Sequence, residues 1–246
     1  PERAARRGPP PGALGRVIVR ETGRGFLLVE QHEHGLLSGE FARRWREEPR
    51  PYGPTVYAIA NHDAGWRTLD RETLWNEEAG RPYSFVDYPL EPKLEAYRRG
   101  IDLVEESSPY AGLLCSMHYH GFVRGLAEEP AARFVAGEER RQERLRRALG
   151  REELASVRRN FLFLRLCDDL SLFVCLNEPG RNEHPWYRDG FRFLGERLRP
   201  VWEDRRTLRL EPNPFRGPFG LRLPYRLVDR KGRPAGSGEI ELRVTC

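Results

Sequence analysis

The chain has 246 residues, of which 39% are hydrophobic and 32% are charged. This length and composition suit one folded domain with a sizeable core and exclude a disordered protein. No stretch approaches the roughly 18 apolar residues of a membrane helix, and the first residues lack the apolar segment of a secretion signal. The net charge is only +5, and acids are interspersed among the 42 basic residues, so we expect neither specific nucleic-acid binding nor membrane association.

The first half of the chain is predicted to be mostly helical. Residues 1–14 are rich in Arg, Pro and Gly and are expected to form a flexible tail. The strings VIVRE and FLLVE flank a turn and predict a β-hairpin over residues 16–30. Apolar residues at helical spacing then predict a helical core over about residues 31–178. Within it, residues 67–90 are predicted to form a long ordered loop, which in a compact domain is often functional.

The character of the sequence changes after Pro179. The strings TLRLEP, FGLRLPYRLV and GEIELRVTC alternate apolar and polar residues and predict antiparallel strands within residues 179–246. The N-terminal hairpin is expected to join them. The predicted fold is therefore a single domain over residues 15–246 that is mainly α, with a small antiparallel β-sheet.

The four cysteines do not indicate a structural zinc site or a disulfide framework. Cys115, Cys167, Cys175 and Cys246 form no CxxC pair and no zinc-ribbon spacing. Three of them lie in apolar helical segments, where a free cysteine packs as a small hydrophobic residue. This usage predicts a reducing, cytoplasmic compartment.

The most informative of the six histidines is followed directly by an acid. His62 and Asp63 stand at the end of a predicted helix and offer an imidazole nitrogen and a carboxylate oxygen, which are ligands for Zn, Mn or Fe. A further histidine, His32 or His34, opens the preceding helix. Together these residues predict part of a metal site.

An acid pair, Asp168 and Asp169, lies in the middle of an apolar helix. A buried carboxylate is costly unless it is paired or binds a metal. Asp169 follows Arg165 by four residues, so a salt bridge on one helix face can satisfy it. Asp168 shares its face with apolar residues and is the better candidate for a buried ligand. The alternative is that Asp168 bonds Arg165 or caps a neighbouring helix.

The order His, His-Asp and distant Asp, all on helices, resembles the HD-domain superfamily of metal-dependent phosphohydrolases. The resemblance runs through an uncharacterised bacterial HD-like family and spans residues 31–176. The matching strings are QHEHGLLSGEFA, NHDAGW, PYSFVDYPLEPKLEAYRRGIDLV, LLCSMHYHGF and CDDLSLFVC.

This resemblance implies an HD-domain-like helical core that binds a divalent metal ion, which would be Mn, Zn, Ni or Fe. The implied metal ligands are His34, His62, Asp63 and Asp168. A second metal ion is left open by the resemblance. His32 precedes the first ligand by two residues and is interpreted as an exposed or capping histidine.

His118 and His120 lie about 200° apart on one predicted helix, so they cannot easily bind the same metal. The apolar stripe of that helix favours His118 as the inward residue. Binuclear HD proteins, both hydrolases and di-iron oxygenases, take two such histidines from two separate helices, whereas this chain offers one helix. His118 is therefore interpreted as a substrate contact, a partial second-metal ligand or a core histidine.

The helix between the His-Asp pair and His118 carries Lys93, Arg98 and Arg99. An anionic substrate needs cations near the metal, and arginine suits bidentate recognition of phosphate. The alternative is that these residues form a solvated face and pair with glutamates of the same helix.

The predicted function is metal-dependent hydrolysis of a phosphate ester or phosphoanhydride of a small anionic substrate. The candidate catalytic residues are Asp63, His118, Lys93, Arg98 and Arg99. One alternative is a di-iron HD-type oxygenase that adds His118 and His120 to the same ligands. Another is a non-catalytic domain that binds metal or a partner. No P-loop, GxGxxG or GxSxG motif is present, and a homo-oligomer is left open.

Overall fold

A computed structural model describes residues 17–67, 69–70 and 74–246. The predicted tail at residues 1–14 lies outside them. The helices of the described part are α1 (Gln31–Arg44), α2 (Tyr52–Asn61), α3 (Leu90–Ser107), α4 (Pro109–Val123), α5 (Glu129–Ala148) and α6 (Arg151–Leu176). None of these is both long and apolar enough to cross a membrane.

Nine strands accompany the helices in the described residues. They are β1 (Val17–Thr22), β2 (Gly25–Glu30), β3 (Trp75–Asn76), β4 (Arg81–Pro82), β5 (Phe191–Phe193), β6 (Glu196–Trp202), β7 (Thr207–Glu211), β8 (Phe219–Asp229) and β9 (Pro234–Thr245). Seven of them form one curled sheet in the order β1-β2-β8-β9-β7-β6-β5, which resembles half of a barrel. Strands β3 and β4 form a separate pair within the loop between α2 and α3.

The prediction of a mainly helical, HD-like core with a small antiparallel sheet is wrong. Helices make up 48% and strands 25% of the structure, and the sheet is a major layer. Strands β5 and β6 lie outside the predicted strand strings, because β5 is only three residues long and β6 alternates poorly and contains Pro200. The sheet is also not purely antiparallel, since β7 pairs with β9 in parallel. Such long-range pairing leaves no local mark in the sequence.

The helix boundaries follow local signals. Helix α4 begins at Pro109, and the side chain of Ser108 accepts a hydrogen bond from the backbone N–H of Ala111. Helix α6 begins after Gly150, whose N–H donates to the Glu153 side chain at 2.9 Å. The second half of α6 is almost wholly buried, as its uniformly apolar sequence predicts.

Helices α1 and α6 join the helical layer to the sheet. Helix α1 contacts α2, α6 and β8, while α6 contacts α1, α4, β1 and β5. Aromatic rings fill part of this junction, where Phe41 of α1 packs against Phe215 and Phe219 with ring centroids 6.1 and 6.2 Å apart. Helices α1 and α6, which carry His34 and Asp168, are thereby held at the junction of the helices and the sheet.

The segment after α2 makes a short 3-10 turn, Ala64–Trp66, that packs directly on α3. The approach is close because two glycines face each other. A Cβ atom on Gly65 would lie 2.1 Å from the Ala96 carbonyl oxygen, and a Cβ on Gly100 would lie 2.9 Å from the Gly65 nitrogen. This contact fixes the backbone directly after Asp63.

Candidate metal centre

Three predicted metal ligands converge from three helices. His34 lies on α1, His62 directly follows the last residue of α2, and Asp168 lies on α6; all three are buried. One potential ligand atom from each lies within 4.8 Å of the others. The Nε2 atom of His34 is 2.9 Å from Asp168 Oδ1, and that of His62 is 3.5 Å from the same oxygen.

Asp63 supplies a fourth donor to this cluster. Its Oδ2 atom lies 3.7 Å from His34 Nε2 and 3.6 Å from His62 Nε2. Its other oxygen accepts a hydrogen bond from the Tyr119 hydroxyl. That hydroxyl in turn accepts a hydrogen bond from Trp66 Nε1 at 3.0 Å. The carboxylate is therefore held with one oxygen turned towards the histidines.

Hydrogen bonds from neighbouring groups fix the orientation of His34. Its Nδ1 atom is 2.6 Å from the Ser171 hydroxyl oxygen. The hydroxyl of Ser171 donates to the Asp168 carbonyl oxygen at 2.8 Å, so its oxygen is left to accept from Nδ1–H. This contact at Nδ1 turns Nε2 towards the cluster, and an outer hydrogen bond of this kind commonly orients metal-binding histidines.

His62 is oriented in the same way by the main chain. Its Nδ1 atom lies 2.8 Å from the Ile59 carbonyl oxygen, which can only accept a hydrogen bond. Within the described residues its buried Nε2 atom has no partner within ordinary hydrogen-bond geometry. Two imidazole nitrogens and the Asp168 carboxylate thus lie close together, with the Asp63 carboxylate beside the two histidines. This donor set fits a divalent ion such as Zn, Mn, Ni or Fe.

The charges of the cluster are consistent with a cation site. Burial by itself lowers the pKa of His62, but Asp63 and Asp168 raise it to about 9. Burial by itself raises the pKa of Asp168, but the neighbouring His34, His62 and His118 rings hold it well below its usual value. In the metal-free protein a proton on His62 supplies one positive charge beside the carboxylates, and metal binding would displace that proton.

His118 lies beside the cluster, on the other oxygen of Asp168. Its Nε2 atom is 3.6 Å from Asp168 Oδ2, and its ring packs edge-on against His62. Burial lowers the pKa of His118 to about 3, so the ring is neutral. His120 points elsewhere and faces Glu139 at 3.4 Å. The structure therefore brings His118, but not His120, to the candidate site.

His32 and its neighbourhood have a structural role at the start of α1. The His32 Nε2 atom accepts a hydrogen bond from Arg67 at 2.7 Å. Burial and the Arg67 charge lower the pKa of His32 to about 4. Asp70 accepts hydrogen bonds from the backbone N–H groups of Gln31 and His32 at 3.2 and 3.1 Å, so its carboxylate caps this helix.

A cavity of about 190 Å³ lies over the cluster. Its floor contains His34, His62, Asp63, His118 and Asp168. The other lining residues are Gln31, Phe85, Val86, Leu90, Lys93, Tyr97, Phe122, Val123, Leu126 and Leu172. The walls are thus mostly apolar, which is typical of sites for small molecules.

Lys93 is the one predicted cation that lines this cavity among the described residues, and its ammonium group donates to the Val86 carbonyl oxygen at 3.4 Å. Arg98 instead pairs with Glu95 and lies over the Phe134 ring, and Arg99 is exposed. The reason is helix geometry. Arg98 and Arg99 are rotated from Lys93 by more than about 100° around α3.

Sequence reasoning missed three polar residues at the site. Ser171 and Tyr119 orient His34 and Asp63, and Gln31 lines the cavity with a buried Oε1 atom that has no hydrogen-bond partner among the described residues. Helical spacing held a signal for two of them. Ser171 follows Asp168 by three residues, and Gln31 precedes His34 by three.

We expect Ser171→Ala to weaken metal binding about tenfold or more, because hydrogen bonds of this kind to a metal-binding histidine contribute about 10–100-fold to affinity. Titration of the metal-free protein with Zn²⁺ measures the change. Ser156→Ala is the matched control, since Ser156 lies on the same helix and its hydroxyl donates only to the Glu152 carbonyl oxygen at 3.1 Å. Equal affinities of the two variants would contradict the orienting role.

Comparison with known protein families gives one match that covers most of the chain. A family model described as "Protein of unknown function (DUF3891)" matches residues 17–230. Neither a curated protein nor a solved structure matches the sequence. The relationship to the HD-domain superfamily stays a prediction.

Proposed function

We propose that this chain, which belongs to the DUF3891 family of proteins of unknown function, is a metal-dependent hydrolase of a phosphate ester or phosphoanhydride. One observation carries the proposal. His34, His62 and Asp168 bring donor atoms within 4.8 Å of one another in the lining of a cavity. Asp63 Oδ2 lies within 3.7 Å of the Nε2 atoms of both histidines. Lys93 lines the same cavity and favours an anionic substrate.

His34, His62, Asp63 and Asp168 would hold a divalent ion, which would supply Lewis-acid activation of water and of a phosphoryl oxygen. The Tyr119 hydroxyl engages Oδ1 of Asp63, so Oδ2 is the atom that would hold the ion, and its remaining lone pair would orient the attacking water. Lys93 offsets negative charge that develops on the phosphoryl group. His118 is neutral near pH 7, so it serves as a hydrogen-bonding or binding group and not as an imidazolium acid.

Gln31 adds a neutral polar group to the wall of the same cavity. Its buried Oε1 atom can accept a hydrogen bond from water or from a substrate hydroxyl. An unsatisfied buried acceptor costs about 1–3 kcal/mol, so a bound molecule that satisfies it gains affinity. The side chain therefore suits a role in positioning the attacking water or the substrate.

Metal removal and reloading test the proposal. The purified full chain is treated with a chelator, reloaded with Mn²⁺, Zn²⁺, Ni²⁺ or Fe²⁺, and analysed for metal per chain. Release of inorganic phosphate is then measured with p-nitrophenyl phosphate and pyrophosphate. We expect metal binding and phosphate release to be lost on chelation and restored together by reloading.

The other outcomes contradict the proposal in different ways. Two iron atoms per chain with oxygen consumption would identify an oxygenase instead. Metal binding without hydrolysis across a broad panel of phosphate esters and anhydrides would leave a non-catalytic metal-binding domain. Absence of metal binding with any of the four ions would overturn the metal site itself.

A further inference from the structure

The mouth of the cavity carries an unusual concentration of exposed apolar side chains. Nine large hydrophobic residues are exposed in the described part of the chain, and three of them line this one cavity. They are Val86, Phe122 and Leu126, with exposed fractions of 59%, 54% and 44%. Single exposed apolar residues are ordinary, whereas a group at the rim of a pocket indicates a binding surface.

The apolar surface continues from this rim down to the candidate metal ligands. The Phe122 ring packs edge-on against His118, with centroids 4.5 Å apart. Leu172 lies four residues after Asp168 on the same helix face and also lines the cavity. A ligand whose polar end lies at the histidines would therefore contact carbon atoms along the rest of its length.

Charge and size limit what the cavity can hold. Lys93 is the sole lysine or arginine among the described residues that line it. A nucleoside triphosphate carries several negative charges and needs more cations than this cavity offers. The cavity volume of about 190 Å³ is also below the roughly 300–1,000 Å³ of pockets for drug-sized ligands. A small ligand with one anionic group fits both limits.

We propose that the substrate is a small monophosphate ester with a short alkyl or aryl group, and that Val86, Phe122 and Leu126 bind this group. The inference rests on the proposed phosphohydrolase function for the identity of the anionic end. The phosphate lies over the candidate metal ligands and beside Lys93, and the apolar group extends towards the rim. Specificity among phosphate esters then comes from apolar contacts at the mouth, because the polar residues of the floor contact only the phosphate group that all these esters share.

Binding of a phosphonate series tests the substrate class without relying on turnover. Calorimetry measures the affinity of the zinc-loaded full chain for methyl-, butyl- and hexylphosphonate and for adenosine monophosphate. We expect affinity to rise about tenfold from methyl- to butylphosphonate, because each fully buried methylene contributes about a factor of four and the rim buries the group only in part. Adenosine monophosphate should bind more weakly than butylphosphonate.

Rim variants locate the binding surface. Phe122→Ser and Leu126→Ser should reduce the gain from methyl- to butylphosphonate by at least about threefold, because each removes apolar contact area. Leu103→Ser is the matched control, since Leu103 is 50% exposed on α3 and does not line the cavity. All three sites are exposed, so the variants are expected to fold.

The outcomes separate this inference from the proposed function. Affinity that is independent of chain length, or a preference for adenosine monophosphate, overturns the apolar substrate class even if the protein hydrolyses phosphate esters. The apolar substrate class is supported if affinity rises with alkyl chain length, if Phe122→Ser and Leu126→Ser reduce this rise, and if Leu103→Ser leaves it unchanged. If that dependence appears while no alkyl phosphate is hydrolysed, the ligand class stands and the hydrolase function falls.

Discussion

Asp168→Asn is expected to lower the affinity for a divalent metal ion by at least about 100-fold and to abolish phosphate release with it. Even outer hydrogen-bond partners of ligands contribute about 10–100-fold to affinity, and Asp168 is a direct candidate ligand. Its two oxygens face His34, His62 and His118 at 2.9, 3.5 and 3.6 Å. Asparagine keeps the volume but loses the charge and one of the oxygens. Metal titration followed by elemental analysis measures the loss.

Asp169→Asn is the matched control for this experiment. Asp169 is the next residue of α6, about 100° further round the helix, and does not line the cavity. Burial and the neighbouring Asp168 raise the pKa of Asp169 to about 7. We expect this variant to keep metal binding and phosphate release. If the two variants bind metal equally well, Asp168 is not a ligand.

Gly65→Ala is expected to destabilise the protein by about 3 kcal/mol, at the upper end of the usual cost of overpacking. The added Cβ would lie 2.1 Å from the Ala96 carbonyl oxygen and 2.6 Å from the Gly100 nitrogen. Both are backbone atoms of α3 and cannot rotate away, so the turn after Asp63 must shift. Urea unfolding followed by circular dichroism measures the change in the free energy of unfolding.

Gly137→Ala, on another helix, is the control and is expected to stabilise the protein. Gly137 lies within α5, and nothing described lies within 4 Å of an added Cβ. We expect this change to stabilise the protein by about 0.5–1 kcal/mol, because alanine costs less conformational entropy in a helix. If Gly65→Ala behaved like Gly137→Ala, the close packing of the turn on α3 would be refuted.

The convergence of the candidate ligands was predictable because their chemistry is local. Burial of His62, Asp63 and Asp168 costs free energy unless each polar group has a partner. Binding of one cation by all three side chains would offset this cost. His34 was separated from His32 by the resemblance, and the structure shows the physical difference, since His32 is engaged by Arg67.

The surroundings of these ligands were less predictable. Arg98 and Arg99 share a short stretch with Lys93, yet only Lys93 lines the cavity. The rotation of about 100° per residue in a helix shows that these three side chains cannot share one face. It does not show which of them faces the cavity. Phe122 follows His118 by four residues on α4, so helical spacing places the two together, whereas Leu126 lies in the turn after α4, where no periodic pattern applies.

Local structure and the kinds of donor atom at the candidate metal centre can be predicted from the amino-acid sequence. Helical spacing, Pro109 and Gly150 mark helix positions and boundaries because they act within a few residues. The size of the sheet, its parallel pair of β7 and β9, and the apolar mouth of the cavity become apparent only in the folded chain. These features depend on which distant segments meet, and that is set by packing of the whole chain and not by local preference.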